Sequence, residues 1–255
     1  MLKITEVFKS IQGEGICTGY PAVFVRFAGC DLACSFCDEH LKESYTYLTN
    51  AGELFNTIML HATNKDETVI FTGGEPMLQM FHTLPATGQV CLTDEMRLLL
   101  TSLRDENIPV NIETNAQFFN KPFQEVASML DALKPYVRLI TLSPKNLETL
   151  VALQDFLTSC SQASIKFIAG HTEFKFLIPT TKQKLDGMIA LAWLFLAVDK
   201  AGYYMPPITF QPLDGDDSAF DFYSTQVIPR LQSKGLTPAY ISSFRPQVHK
   251  LYNKK

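Results

Sequence analysis

The chain has 255 residues, 46% hydrophobic and 19% charged, with a formal net charge of −4. This composition excludes a disordered or fibrous polypeptide and suits one large domain with a sizeable core. The mild acidity argues against broad binding to nucleic acid or an anionic membrane, so neither is expected as a partner.

The opening stretch, Met1 to Ser10, has neither the apolar core nor the small-residue cleavage site of a signal peptide. Short apolar runs then alternate with amphipathic stretches. Strands are predicted at Ala22 to Phe27, Thr68 to Phe71, Pro109 to Thr114, Val137 to Ser143 and Ile208 to Pro212. Ser164 to Ile168 and Phe174 to Ile178 read as two strands of a hairpin. Helical patterns occupy "DEMRLLLTSLRDE", "PFQEVASMLDAL", "LETLVALQDFL" and the stretch from Lys182 to Ala201. The apolar run "GMIALAWLFLAV" at 187–198 is shorter than the ~20 residues of a membrane span, and a buried helix is expected there. The reading is therefore an α/β fold with a parallel sheet, in one domain over 1–255. Segments 41–63 and 83–93 are read as elaborations of that core. A cytoplasmic location, where thiols stay reduced, is expected.

Polar motifs follow several strands: "TGGEP", "ETN", "SPK" and "QPLDG". In parallel α/β folds, sites form at the carboxyl ends of strands, so these motifs line one mouth. Cys30, Cys34 and Cys37 crowd into eight residues after the first predicted strand, while Cys17, Cys91 and Cys160 stand apart as isolated thiols. Soft thiolates bind zinc or iron–sulfur clusters. Structural zinc takes four ligands, often as two separated pairs. Three thiolates on a four-iron cluster leave one iron open to chelate a small molecule. Zinc completed by His40, and three cysteines without metal, stay as alternatives.

The Cys-x3-Cys-x2-Cys loop, followed by "TGGEP" at Thr72 to Pro76, resembles the radical S-adenosylmethionine superfamily. A narrower set of stretches resembles the 7-carboxy-7-deazaguanine synthase family: "IQGEG" at Ile11 to Gly15, "GYPAVFVRFAGCDLACSFCD", "TGGEPMLQ", "ETN", "SPK", "FKFLI", "QPLDG" and "QVHK" at Gln247 to Lys250. That resemblance implies a partial (β/α) barrel with extra helical elaborations. It implies conversion of 6-carboxy-5,6,7,8-tetrahydropterin to 7-carboxy-7-deazaguanine with loss of ammonia. It also implies a [4Fe-4S] cluster, S-adenosylmethionine, magnesium, a flavodoxin or ferredoxin as reductant, and a homodimer.

On this resemblance Cys30, Cys34 and Cys37 hold three irons. S-adenosylmethionine chelates the fourth, and one electron releases a deoxyadenosyl radical that takes a substrate hydrogen. Asp38, Gly73, Gly74, Glu75, Ser143 and Lys145 are the cofactor-binding candidates. Taken alone, Gly-Gly reads as a turn, and Ser143 with Pro144 as the start of a helix. Glu14, with Gln12 and Gly13, matches the amide and amino groups of a pterin edge. Arg26 is a candidate for the substrate carboxylate, with a strand-end salt bridge as the plainer reading. Thr72 faces the substrate. Glu113 and Asn115 fit either the site or a helix cap. "QVHK", with His249 and Lys250, would close the site, and in the family the chain terminus contacts substrate. His61, His82 and His171 read as surface residues. Where the family commonly has a threonine for magnesium, this chain has Glu39, a hard-cation ligand of another kind. Two competing readings are a glycyl-radical-activating enzyme acting on a protein, and a zinc-binding or redox-sensing module.

Overall fold

The β-branched and aromatic runs form the strands. The computed structural model describes residues 1–37, 46–63, 67–199, 206–212 and 218–235. Its strands are Leu2–Ile11 (β1), Pro21–Phe27 (β2), Tyr47–Thr49 (β3), Thr68–Gly73 (β4), Phe81–Thr83 (β5), Val90–Leu92 (β6), Val110–Thr114 (β7), Val137–Leu142 (β8), Thr172–Ile178 (β9) and Ile208–Pro212 (β10). Its longer helices are Ala51–His61 (α1), Asp94–Asp105 (α3), Phe123–Leu133 (α4), Leu147–Ser159 (α5), Gln162–His171 (α6) and Lys182–Asp199 (α7). A single turn at Met77–Met80 (α2) follows the glycine motif.

Among the described residues the main sheet runs β10-β9-β8-β7-β4-β2-β1-β3. From β2 to β10 the neighbours are parallel, whereas β1 pairs antiparallel with both β2 and β3. Parallel neighbours need a crossover, and helices supply it. α1 lies between β2 and β4 in the chain, so the described part of 41–63 carries a crossover helix of the core. Its start is fixed by a capping box in which Asn50 and Glu53 each accept the other's backbone N–H. The 83–93 segment contributes to a separate hairpin, β5 with β6.

The hairpin expected across Ala169 to Glu173 does not form. Ser164 to Ile168 belongs to α6, because β8 and β9 are parallel neighbours and the chain must cross back between them. The Phe167 ring stacks on His171, one turn on, and Ile168 C=O accepts from the Thr172 hydroxyl at 2.7 Å. The stretch at 187–198 lies in α7, and no helix among the described residues is long and apolar enough to cross a membrane.

Strand alternation sorts the side chains by face. Val23, Val25, Phe27, Val69, Phe71, Ile112, Ile140, Phe174, Phe176 and Phe210 join the helices in the main core. On the opposite, inner face, Ala22, Phe24 and Ile70 form a small apolar plug with Phe8. Further along the same inner face the residues become polar. Arg26 pairs in register with Thr72, Glu113 with Thr141, and Thr141 with Glu173. The next inward position on β9, Lys175, is level with Thr209 of β10. The partial barrel is thus apolar at one end and charged toward the carboxyl ends of its strands.

Candidate active site

Buried charges are costly unless they are paired or used. The polar inner face of the barrel pairs its charges through the loop that follows β1. Gln12 Nε2 donates to Glu113 Oε1 at 2.8 Å. Glu14 forms an ion pair with Lys175, and the two side chains are 15% and 8% exposed. Ile16 N–H donates to Glu173 Oε2 at 2.8 Å. The loop also closes on itself: Gln12 N–H donates to Tyr20 C=O and Gly19 N–H to Gln12 C=O. Gly15 has φ +65°, which favours glycine, and a Cβ there would lie 2.3 Å from Glu173 Oε1, so any larger residue must displace that carboxylate. Gly13 is buried between Gln12 and Glu14. Thr72 donates to Glu113 Oε2 at 2.9 Å, and Thr141 to Glu173 Oε1 at 2.6 Å.

The electrostatics follow from this crowding. Burial alone would lower the Lys175 pKa, but the Glu14 and Glu113 carboxylates outweigh it and hold the ammonium above its ordinary value. Burial raises the Glu173 carboxyl, against the hydrogen bonds from Thr141 and Ile16. Lys145 is pushed down to about 8, first by burial and then by Lys175. Its ammonium donates to Ser143 Oγ at 2.8 Å, and Lys184 on α7 donates to its carbonyl at 3.1 Å. Ser143 is buried and does not cap a helix. Asn146 does that, accepting from Thr149 N–H at 2.8 Å.

The cysteine loop leaves the carboxyl end of β2. Gly74 N–H donates to Phe27 C=O and Glu75 N–H to Gly29 C=O, both at 2.8 Å. A Cβ on Gly74 would lie 2.0 Å from Gly29 O, and one on Gly73 would lie 2.6 Å from Phe27 N and O. Gly74 is therefore required by the close approach of the cysteine loop, and Gly73, at φ +105°, by that of the end of β2. Glu75 is buried beside the cysteine loop, close enough for its charge to act on Cys30. It accepts from Thr114 Oγ1 at 2.7 Å, Asn115 N–H at 2.8 Å and Met77 N–H at 3.0 Å, and so ties the end of β4 to that of β7. Burial, opposed by these bonds, raises its carboxyl to about 7.

All six cysteines are free thiols. Asn115 Nδ2 lies 3.6 Å from Cys30 Sγ and donates to Asp31 Oδ1 at 2.8 Å. Burial raises both the Cys30 and Cys34 thiols; Lys145 is the main opposing influence on Cys34. Among the described residues, no three His, Cys, Asp or Glu side chains come together around a single metal ion. A cluster spaces its ligands farther apart than one ion does.

The structure thus brings Gln12, Gly13, Glu14, Thr72, Ser143 and Lys145 to one barrel mouth, beside the cysteine loop. Arg26 shares the inner face, 3.6 Å from Glu6 and with its guanidinium over the Phe8 ring. Both readings of Arg26 have a place: it is ion-paired, and it is on the site face. Asp38, Glu39, His40, the end of "QPLDG", and "QVHK" with His249, Lys250 and Lys255 lie outside the described residues. Of the remaining histidines, His82 is exposed and lies 3.4 Å from Cys91 across the β5–β6 hairpin. Sequence reasoning missed Thr141, Glu173, Lys175 and Asp31, and underrated Glu113 and Asn115.

A parallel partial barrel with three free thiols after its first parallel strand defines a class, and comparison with known proteins places the chain in it. The family model described as the radical SAM superfamily matches residues 24–157, just over half of the 255 residues, and the chain belongs to that superfamily. The crystal structure of QueE from Escherichia coli matches over 90% of each chain, with a TM-score of 0.53 and 20% identity, a likeness of fold. Curated relatives named 7-carboxy-7-deazaguanine synthase include those of Rickettsia prowazekii (34% identical, covering 49% of this chain and 48% of the relative), Methanospirillum hungatei (36%, 50% and 46%) and Bacteroides thetaiotaomicron (50%, 31% and 40%). The chain spans about half the length of the first two and less of the third.

The superfamily implies a [4Fe-4S] cluster and S-adenosylmethionine. The residues present fit both. Three cysteines outside any disulfide, soft donors, occupy one short loop. At the end of β10, Gln211 Oε1 is buried without a hydrogen-bond partner among the described residues, a polar atom suited to a ligand's donor.

Proposed function

We propose that the chain is a 7-carboxy-7-deazaguanine synthase, converting 6-carboxy-5,6,7,8-tetrahydropterin to 7-carboxy-7-deazaguanine with loss of ammonia. The observation that carries this reading is the Gln12–Ile16 loop seated on Glu113, Lys175 and Glu173 inside the barrel mouth. The shared name of the curated relatives supports it.

In this reading Cys30, Cys34 and Cys37 hold the cluster. When bound, the cluster and S-adenosylmethionine supply one-electron cleavage of a sulfonium bond and hydrogen abstraction from the substrate ring. The chain's own part is to bind, orient and shield. Glu75 and the glycine pair fix the loop edges around the cofactor pocket. Ser143 and Lys145, with Asp38, bind the cofactor's polar groups, Lys145 as the cation facing its carboxylate. Gln12, Gly13 and Glu14 present acceptor groups to the pterin edge, with Thr72 beside them and Arg26 for the substrate carboxylate. Magnesium held by Glu39, a flavodoxin or ferredoxin reductant, a homodimer and a single domain over 1–255 complete the proposal. Among the described residues no observation favours the glycyl-radical or zinc-module readings.

The test is anaerobic reconstitution followed by reductant, S-adenosylmethionine and the carboxy-tetrahydropterin. A product of the mass of the deazaguanine supports the reading. Unchanged pterin alongside hydrogen abstraction from a peptide would replace it.

A further inference from the structure

Lys175 is 8% exposed and projects from the middle of β9 into the barrel. The charged groups around it are three carboxylates, Glu14 from the loop, Glu113 from β7 and Glu173 from two residues earlier on its own strand, and one cation, the Lys145 ammonium, whose pKa it lowers. It pairs directly with Glu14. The other loop contacts bracket this pair, with Gln12 on Glu113 and Ile16 N–H on Glu173. Gln12 Oε1 also accepts from Glu14 N–H at 3.1 Å. The carboxylate is thus held at its head by Lys175 and at its backbone by Gln12. A flexible glutamate in a glycine-flanked loop would lose side-chain freedom on binding a ligand; one already pinned has less to lose.

We infer that Lys175 is a positioning residue for substrate recognition: it holds Glu14 in place, through one oxygen of its carboxylate, to receive the donor edge of the pterin. The inference rests on the reading of function given above. Lys175 acts through Glu14 and need not touch substrate, which sets it apart from Lys145, whose partners are Ser143 and Lys184.

The experiment is a double-mutant cycle on Lys175→Met and Glu14→Gln. It reads steady-state KM and kcat for the carboxy-tetrahydropterin and the substrate-induced rise in Tm. A charge-assisted hydrogen bond has a worth corresponding to roughly a ten- to hundredfold effect. K175M should raise KM by about that factor, leave kcat within about threefold and reduce the substrate-induced Tm rise. K175M/E14Q should be no worse than E14Q alone, and Lys175→Arg should restore much of the affinity. If K175M does not fold, the charge-balanced double variant and K175R carry the comparison, since removing both charges leaves no unpaired partner in this pair. An unchanged KM in K175M, or losses that simply multiply in the double variant, would overturn the inference while leaving the activity assigned. A wild-type chain that neither binds nor converts the pterin removes the functional reading, and the inference with it.

Discussion

Gly74→Ala puts a methyl group where the backbone of the cysteine loop already is. The new Cβ would meet Gly29 O at 2.0 Å and Gly29 C at 2.6 Å, against an ordinary contact of 3.4 Å or more. Backbone cannot rotate away as a side-chain tip can, so the two loops must part by about 1.4 Å along that direction. That displacement breaks the Gly74–Phe27 and Glu75–Gly29 hydrogen bonds. At about 1 kcal/mol net each, the loss is about 2 kcal/mol, or a fall in Tm of about 4–8 °C for a chain of this size. The damage lands one residue before Cys30, so it should reach the metal site as well. The assay is thermal unfolding of the cluster-free protein, with iron and sulfide content after anaerobic reconstitution. Iron below half the wild-type complement is expected. Gly52→Ala, at an exposed position in the first turn of α1, is the control and should be neutral or slightly stabilising. A G74A protein with wild-type Tm and full iron would refute the argument that Gly74 is required by loop–loop approach.

Gly15→Ala should raise the pterin KM and lower Tm, because it combines a left-handed backbone with a clash against Glu173; kinetics and a melting curve check both. Glu75 has a folded-state carboxyl raised from 4.5 to about 7. The folded chain therefore holds a proton that the unfolded chain has released, and its contribution to stability declines as pH rises from about 4.5 through about 7. Glu75→Gln should flatten that part of the Tm–pH curve, and an unchanged slope would contradict the assignment. Lys145, lowered to about 8, loses its charge above that pH, so the KM for S-adenosylmethionine should rise there in the wild type. Lys145→Met should start from a high KM and show no further rise. Activity after chelator treatment, with and without added magnesium, tests the Glu39 site, and no dependence would remove it.

The parts of the site carried by short continuous motifs were legible in the sequence. Three thiols in eight residues, and Gly-Gly-Glu directly after an apolar run, point to chemistry by local spacing alone. So did the alternation of strands and helices. What stayed hidden depends on which strands are neighbours. Glu173 and Lys175 sit at alternate positions of "TEFKFLI", a signal that one face of the strand is charged. Their meaning needed the knowledge that β9 is paired on both sides and faces the Gln12–Ile16 loop. β1 was missed because the alternation of Leu2–Ile11 breaks at Thr5-Glu6, where its register with β2 shifts, and at Val7-Phe8, and its place is set by antiparallel pairing with β2 and β3. "SIKFI" has the composition of a strand, but the parallel pairing of β8 and β9 needs a crossover helix. The role of the glycines also changed. Taken alone the pair reads as a turn, and the fold adds close packing against Phe27 and Gly29 backbone.

The central claim is that the thiol trio beside this charged barrel mouth drives ring contraction of a pterin. One measurement tests it most directly: product mass and ammonia release from the carboxy-tetrahydropterin under anaerobic turnover, with wild type and Cys30→Ala, Cys34→Ala and Cys37→Ala run in parallel. The account predicts deazaguanine and ammonia together from the wild type and neither from any cysteine variant. Turnover retained in one of the three variants, or a wild type with a full cluster that leaves the pterin intact, would contradict it.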